Sequence, residues 1–377
     1  MQHTKAPMRI PLIKPYITEE VKEKVSEVLD SGYLTEGAAT KELENSFKDY
    51  IGCKYALAAC NCTVGLEMAL RTLGVGPGDE VIVPDYTYPA TAAVVAIVGA
   101  RIVLVDVDPQ TMLIDYEALE SAITDRTRAI IPVSIFGNPL DYEMLTRIKE
   151  KYNIFIVEDA ACSIGAEFKG TKVGNLADIS VFSLHPRKFI TTGEGGIVTT
   201  NNEKWARWMD SYKHFGMDDN QSRVGTQFER IGTNYKLSNI QAAVGIVQMK
   251  YIKKLLSKRQ SLAKNYLNLL RDNSEVGFQR VNQFSMHSYQ SFCIFVKERD
   301  TIMSNMREQG IEVQIGTYAL HMHKAYNKSA NCTISGKVAG SKFSFEHCLV
   351  LPLYHDLSTD EQEYIVENLT EIISQKD

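Results

Sequence analysis

Short apolar segments alternate with helical segments between residues 55 and 158, and this alternation constrains the fold more than any other feature of the chain. The predicted strands lie at residues 55–59, 80–83, 101–107, 129–133 and 154–158. The predicted helices between them lie at residues 64–73, 89–98, 116–123 and 142–151. Short apolar strands that alternate with amphipathic helices are typical of a mostly parallel sheet covered by helices on both faces. We therefore predict an α/β fold whose ligands bind outside the carboxyl ends of the strands.

The remainder of the chain extends this pattern and predicts a second, smaller unit. Further predicted elements are strands at residues 179–182, 196–199, 291–296 and 349–353, and a long helix from residue 239 to about residue 270. Ser358 and Glu361 have the spacing of a capping box at the start of a last helix. At 377 residues the chain is long enough for two domains. We predict a large domain over residues 1–245 and a smaller α/β C-terminal domain over residues 246–377.

Composition argues against several classes of function. The net charge is −5 and there is no run of basic residues, so nucleic acid is not an expected partner. The apolar stretch at residues 90–107 is interrupted by Gly99 and Arg101, which predicts a helix and a strand instead of a membrane span. The seven cysteines lack metal-ligand spacing, so we expect reduced thiols and no metal. Residues 1–11 lack the apolar segment of a signal peptide, and we expect a cytoplasmic location.

The stretch SLHPRKFITTGEGG, from Ser183 to Gly196, is the strongest indication of chemistry. It places Lys188 ahead of a glycine-rich turn, with a hydroxyl group five residues earlier. A lysine amine can form a Schiff base with an aldehyde cofactor, and glycines let the backbone approach a bulky group. A surface lysine beside a loop is the alternative that this stretch alone leaves open.

Two further sites lie where predicted strands end. Asp159 follows the strand at residues 154–158, where a carboxylate could keep a pyridinium nitrogen protonated; a helix cap is the alternative. Asn61, Cys62 and Thr63 join a strand to a helix whose free N–H groups suit a phosphate. An ordinary N-cap by Asn61 or Thr63 is the alternative there.

An aromatic residue and a polar turn complete the set. Tyr88 follows the strand that ends at Val83, and its ring could stack on a flat cofactor or simply pack in the fold. The segment 232–236 precedes the long helix and either contacts a phosphate or forms a plain turn. A phosphate site, a stacking ring, a ring-nitrogen carboxylate and a reactive lysine together describe pyridoxal phosphate bound to an α/β enzyme.

Longer motifs point to a known family. They are PLIKPY at residues 11–16, SGYLTEG at 31–37, GPGDEV at 76–81, VEDAA at 157–161, HPRK at 185–188, GEGG at 193–196, NYK at 234–236 and LPLY at 351–354. Through them nearly the whole chain resembles the sugar aminotransferases of the DegT/DnrJ/EryC1/StrS family, a branch of the fold-type I enzymes that use pyridoxal phosphate. One branch of that family carries His in place of the lysine and is a dehydratase, and Lys188 argues against that branch.

The resemblance implies a role for each matching residue. Lys188 would form the internal Schiff base and then move a proton between substrate and cofactor carbons. Asp159 would pair with the pyridine nitrogen and Tyr88 would stack on the ring. Thr63 and Ser183, with the backbone near Cys62, would bind the phosphate.

The resemblance also implies a homodimer with shared active sites, because Asn234 matches the family residue that reaches the phosphate of the neighbouring subunit. The chain departs from the family at three positions. Cys62 replaces a common glycine, and Lys236 stands where arginine is common. Cys162 lies where many members carry Gln or His beside the cofactor's phenolic oxygen, which puts that contact in question.

The function expected from the resemblance is transfer of an amino group to C3 or C4 of a nucleotide-linked keto-sugar, with L-glutamate as donor. The residues expected on the sugar side are Tyr33, Thr35, His185, Tyr318 and His321, and each histidine has a structural hydrogen bond as its alternative role. Two other functions remain open: a fold-type I transaminase with a non-sugar substrate, and a regulatory protein that holds pyridoxal phosphate without turnover. A Rossmann dehydrogenase is disfavoured, because no Gly-x-Gly-x-x-Gly follows the first strand.

Overall fold

The strands and helices have the following bounds in a computed structural model that describes residues 9–218 and 225–375. The strands are β1 (Tyr55–Ala59), β2 (Glu80–Pro84), β3 (Tyr86–Thr87), β4 (Arg101–Val105), β5 (Thr127–Ile130), β6 (Phe155–Asp159), β7 (Glu167–Phe168), β8 (Thr171–Lys172), β9 (Ile179–Ser183), β10 (Gly196–Thr200), β11 (Gly277–Phe278), β12 (Ser285–Met286), β13 (Phe292–Phe295), β14 (Gln314–Ile315), β15 (Tyr318–Ala319), β16 (Cys332–Ile334) and β17 (Cys348–Leu351). The α-helices are α1 (Glu19–Ser31), α2 (Ala38–Ile51), α3 (Cys62–Thr72), α4 (Pro89–Ile97), α5 (Tyr116–Ser121), α6 (Tyr142–Tyr152), α7 (Glu203–Lys213), α8 (Asn239–Lys250), α9 (Ile252–Leu270), α10 (Arg299–Glu308), α11 (Lys324–Asn327), α12 (Ala339–His347) and α13 (Thr359–Ser374).

A central sheet of eight strands organises the described residues, in the order β1-β10-β9-β6-β5-β2-β4-β16. Strand β10 is antiparallel to β1 and β9, and the other neighbouring pairs are parallel. The predicted mostly parallel sheet is therefore confirmed. The direction of β10 follows from its pairing with β9, in which Ser183 lies opposite Gly196 and the intervening loop reverses the chain.

Helices cover both faces of this sheet, which explains why its strands are apolar on both sides. On one face, Leu66 of α3 and Val94 of α4 pack with strand residues in a buried core. On the other, Phe47 of α2, Ile148 of α6 and Ile246 of α8 belong to a second core. The sheet is thus sealed from water except at its edges and strand ends, where polar side chains can meet a ligand.

A smaller antiparallel sheet, in the order β11-β13-β17-β14, forms the centre of the C-terminal part. Helices α9, α10 and α13 contribute Tyr266, Met306 and Leu369 to its buried core. The predicted capping box is present, since the Ser358 hydroxyl accepts from the Glu361 N–H and the Glu361 carboxylate accepts from the Ser358 N–H. Within the described ranges, no helix is both long and apolar enough to cross a membrane.

Two features differ from the sequence-based expectations. The long helix expected from residue 239 is two helices, because the chain turns at Tyr251 between α8 and α9. Strand β16 lies far beyond residue 245 yet pairs with β4 at the edge of the central sheet. The division at residue 245 falls inside α8 and stays a prediction, while residues 1–8, which bear on the expected lack of a signal peptide, lie outside the described residues.

Candidate active site

Several of the sequence-predicted residues gather at the edge of the sheet where the parallel strands end. Asp159 is the last residue of β6 and Ser183 the last of β9, while Cys62 begins the helix that follows β1. Strands β1, β6 and β9 point the same way, because β6 is parallel to β9 and β10 is antiparallel to both β1 and β9. Their carboxyl ends therefore share one edge, as expected for a ligand site in such a sheet.

Lys188 lies half-buried in the loop between β9 and β10 and reaches a cysteine across the site. Its Nζ donates a hydrogen bond to the Sγ of Cys162 at 3.0 Å. Burial works to lower the pKa of Lys188, but Cys162, Cys62 and Asp159 outweigh it and raise that pKa above its usual value. Cys62 is half-buried, and the desolvation of its thiol raises the pKa of that thiol well above the ordinary range. These four side chains form one electrostatically linked group, which we call the Lys188 group.

Asp159 provides a buried carboxylate, with only 5% of the residue exposed. Its Oδ2 accepts from the Thr91 hydroxyl at 2.7 Å and its Oδ1 from the Ala161 N–H at 3.1 Å. The Thr91 hydroxyl also lies 2.8 Å from that of Thr87. Burial raises the pKa of Asp159 despite these hydrogen bonds. A cationic partner, such as a protonated ring nitrogen, would offset that effect and keep the carboxylate ionised.

The turn at the start of α3 has the features of an anion site. Asn61 caps the helix, since its Oδ1 accepts from the Val64 N–H at 3.0 Å. The N–H groups of Cys62 and Thr63 lie in the first turn, where they have no acceptor within the helix. A Cβ atom at Gly196 would lie 2.7 Å from the carbonyl carbon of Asn61 and 2.8 Å from the nitrogen of Cys62. Glycine at the start of β10 is what lets this turn sit close to the sheet.

Two aromatic rings stand beside this edge. Tyr88 is 66% exposed, and its ring centroid lies 6.3 Å from that of Tyr318 at an interplanar angle of 53°. Tyr318 is brought there because β15 pairs with β3, with Tyr318 opposite Thr87. A ring with solvent on one side and a neighbouring aromatic on the other is available to stack on a flat ligand.

The histidines expected on the sugar side make local contacts. The Nδ1 of His185 accepts from the Arg187 N–H at 3.2 Å, the His185 N–H donates to the Ser183 hydroxyl at 3.3 Å, and burial lowers the pKa of His185. The N–H of His321 donates to the carboxylate of Asp85 at 2.7 Å, and its Nδ1 contacts the same carboxylate. The contacts of His321 with Asp85 are those of a histidine with a structural hydrogen bond, and its expected contact with the sugar stays a prediction.

Three predicted residues lie apart from the Lys188 group. Tyr33 and Thr35 are exposed on the loop before α2, and Tyr33 holds its place by accepting from Asn239 through its carbonyl oxygen at 2.8 Å. The Oδ1 of Asn234 accepts from the Lys236 N–H at 3.4 Å. No hydrogen bond or ion pair among the described residues joins Tyr33, Thr35 or Asn234 to the Lys188 group.

Sequence reasoning missed a buried ion cluster behind the loop at residues 33–37, which we call the Lys213 cluster. The side chain of Lys213 is fully buried, and its Nζ lies 2.8 Å from Glu36, 3.4 Å from Glu44 and 3.4 Å from Asp210. It also donates to the carbonyl oxygen of Ala58 in β1 at 3.1 Å. The cluster thus ties the loop to the strand that leads into the anion site.

Only Asp210 is a partner from the same helix, and nothing in the local sequence around Lys213 marked the cluster, because Glu36, Glu44 and Ala58 come from distant parts of the chain. Thr91 was also missed as the hydrogen-bond partner of Asp159. A hydroxyl in the first turn of a helix that follows a strand end was the one available signal for it.

The chain as a whole is similar to known proteins over most of its length. A family model described as the DegT/DnrJ/EryC1/StrS aminotransferase family matches residues 15–370. The GDP-perosamine synthase of Caulobacter vibrioides is 36% identical, over 84% of this chain and 87% of its own length. The Helicobacter pylori aminotransferase PseC, involved in the biosynthesis of pseudoaminic acid, is 25% identical over 98% of this chain and 100% of its own, with a TM-score of 0.92. The PLP form of Streptococcus pneumoniae Spr1654 is 29% identical over 98% of this chain and 99% of its own, with a TM-score of 0.90.

Proposed function

Because the chain belongs to the DegT/DnrJ/EryC1/StrS aminotransferase family, we propose that it transfers an amino group from L-glutamate to a nucleotide-linked keto-sugar, with pyridoxal phosphate as its cofactor. The observation that carries the proposal is the Lys188 group, in which a lysine amine and a buried carboxylate lie together at the carboxyl edge of the sheet. The names of the two relatives from Caulobacter and Helicobacter support a sugar substrate.

The residues present fit pyridoxal phosphate. The buried Asp159 suits a cationic ring nitrogen, and the capped start of α3, which Gly196 lets pack close to the sheet, suits a phosphate. Lys188 suits the aldehyde, because its amine lies in the same group as that carboxylate. When bound, the cofactor supplies an aldehyde that condenses with amines and a ring that draws electrons from the carbon that loses its proton.

In this proposal the chain's own residues bind, orient and move a proton. The N–H groups of Cys62 and Thr63, with the hydroxyl of Ser183, would hold the phosphate. The Thr91 hydroxyl holds the carboxylate of Asp159 in place, and that carboxylate would pair with the ring nitrogen. Lys188 would take the proton from the donor's α-carbon at its Nζ and return it to a carbon of the cofactor.

The sugar side of the proposal rests on residues around the same edge. Tyr88 would cover the cofactor ring, and Tyr318 lies next to it. Tyr33 and Thr35 are exposed for contact with the nucleotide-sugar or with a second subunit. Asn234, which lies apart from the Lys188 group in one chain, would complete the site of a partner subunit in a homodimer.

The proposal is tested by supplying the purified protein with pyridoxal phosphate, ¹⁵N-labelled L-glutamate and a panel of GDP-, UDP- and dTDP-linked keto-sugars. Mass spectrometry of the sugar products should find the label in at least one amino sugar, and the Lys188→Arg variant should give none because its guanidinium cannot take the lysine's role. The GDP-linked sugars come first, since the 36% identical relative is named for one. Label in no sugar, with the cofactor bound, would contradict the proposed substrate class.

A further inference from the structure

The contact between Lys188 and Cys162 points to a role for the thiol. The 3.0 Å hydrogen bond from Nζ to Sγ is the one that the structure gives this amine among the described residues. Resting on the proposed function, we propose that Cys162 is a positioning residue for Lys188: its sulfur holds the amine in place and sets the pH at which that amine becomes free to react.

The backbone around Cys162 is held firmly enough for this role. It lies on a turn after β6 in which the Ser163 N–H donates to the Ala160 carbonyl at 2.9 Å. The Ser163 hydroxyl donates to the Ser134 carbonyl at 2.5 Å, and the carbonyl of Cys162 accepts from the Ser288 hydroxyl at 3.4 Å. Because the turn is fastened on two sides, the position of the Cys162 backbone is fixed by the fold and not by the lysine.

The loop that carries Lys188 is fixed in the same way. The Lys188 N–H donates to the His185 carbonyl at 2.8 Å, and the next N–H, that of Phe189, donates to Gln290 at 3.2 Å. Phe189 and Ile190 are buried immediately after it. The amine of Lys188 and the sulfur of Cys162 therefore meet from two backbone segments that are each held by hydrogen bonds.

Charge around the amine explains why a sulfur there matters. Burial alone would favour the neutral amine, and Asp159 is held by Thr91 and the Ala161 N–H instead of by the lysine. Cys62 and Asp159 also favour the ammonium form of Lys188 through space, and Cys162 is the hydrogen-bond partner of the amine among the described residues. An amine must lose its proton before it can attack an aldehyde, so the partner that holds the proton sets the pH dependence of cofactor capture.

The experiment follows cofactor capture and does not depend on turnover. Cofactor-free wild type, Cys162→Ala and Cys162→Ser are mixed with pyridoxal phosphate at a series of pH values, and the rise of the bound-cofactor absorption band is timed. We expect the midpoint of the rate against pH to lie about one pH unit lower in Cys162→Ala, since loss of a hydrogen bond that favours the ammonium form lowers the pKa of the amine by about that much. The matched control is Cys332→Ala, a half-buried cysteine in β16, which should leave the midpoint unchanged.

A second measurement covers the case in which Cys162→Ala fails to fold. Iodoacetamide should alkylate Cys162 in the cofactor-free wild type, slow cofactor capture at least about tenfold, and be blocked by bound pyridoxal phosphate, as peptide mass spectrometry would show. Coincident pH profiles in folded wild type and variant, or capture unaffected by alkylation at Cys162, would overturn the role of the thiol while leaving the proposed function intact. Failure of the wild type to capture any cofactor would instead overturn the proposed function.

Discussion

Replacing Lys213 with methionine tests the energetics of the fold behind the proposed site. The side chain is fully buried and faces the carboxylates of Glu36, Glu44 and Asp210. Methionine keeps much of the volume but removes the charge, so Glu36 and Glu44 lose their buried counter-ion and the carbonyl of Ala58 loses a donor. Removing one partner of a buried ion pair costs about 3–5 kcal/mol, and we expect Lys213→Met to lower the free energy of unfolding by that amount.

The chain offers a matched control for this experiment. Lys41 also pairs with Glu44, at 3.0 Å, but its side chain is 67% exposed. An exposed pair contributes at most about 1 kcal/mol, so Lys41→Met should change the free energy of unfolding by no more than that. Both variants are compared with wild type by equilibrium urea denaturation, followed by tryptophan fluorescence at one protein concentration. Equal losses in the two variants, or no loss in Lys213→Met, would refute the argument that burial makes the Lys213 cluster stabilising.

Three further outcomes are expected. Gly196→Ala should weaken pyridoxal phosphate binding roughly 10- to 100-fold in a titration, because the added Cβ would press on the Asn61 backbone at a cost of about 1–3 kcal/mol. An unchanged Kd would contradict this. Burial works to lower the pKa of His214, but its hydrogen bond with Glu36 outweighs that effect and raises the pKa. Protonated His214 therefore stabilises the fold at pH values below the ordinary histidine pKa, and this stabilisation is lost as the pH rises through the raised pKa. His214→Gln should therefore lower Tm more at about pH 6 than at about pH 9, and an equal loss at both would count against it. Asp159→Asn should still bind the cofactor but lower turnover by roughly 10²–10³-fold in a steady-state assay, and near-normal turnover would remove Asp159 from the mechanism.

Much of the central sheet could be predicted from local pattern, because each buried strand is a short apolar run between helical periods. Strand β1 has the predicted bounds, and β9 and β10 differ from prediction by one residue at their ends. The alternation predicted the parallel strands, but it did not predict the direction of β10, which follows β9 through the lysine loop with no helix between them and is therefore antiparallel. In the three-residue β16 only Cys332 is partly buried while Thr333 and Ile334 are exposed, and the segment becomes a strand because the edge of β4 is there to pair with it.

The candidate site likewise contains residues that could be predicted from the sequence and contacts that could not. Lys188, Asp159 and the turn at Cys62 stand at strand ends with recognisable neighbours, so their placement at one edge followed from the predicted fold. Contacts between distant parts of the chain did not follow. His321 meets Asp85 across 236 residues of sequence, and no pattern within either segment records that pairing.

The hydrogen bond between Lys188 and Cys162 is a contact of the same kind. The resemblance marked Cys162 as a departure from the family, but only the folded chain shows that its sulfur faces the lysine amine. Residues chosen by strand position could be predicted, whereas partners that tertiary packing brings together could not.

The central claim is that Lys188 holds pyridoxal phosphate and that an amino group passes from donor to acceptor by way of this cofactor. The most direct measurement is the visible absorption spectrum of the purified protein with pyridoxal phosphate, before and after L-glutamate, in wild type and Lys188→Ala. The account predicts a bound-cofactor band in the wild type that bleaches with L-glutamate and returns with 2-oxoglutarate, and a variant that neither forms this band nor responds in that way. A wild-type band that no amino donor changes, or no bound cofactor at all, would contradict the account.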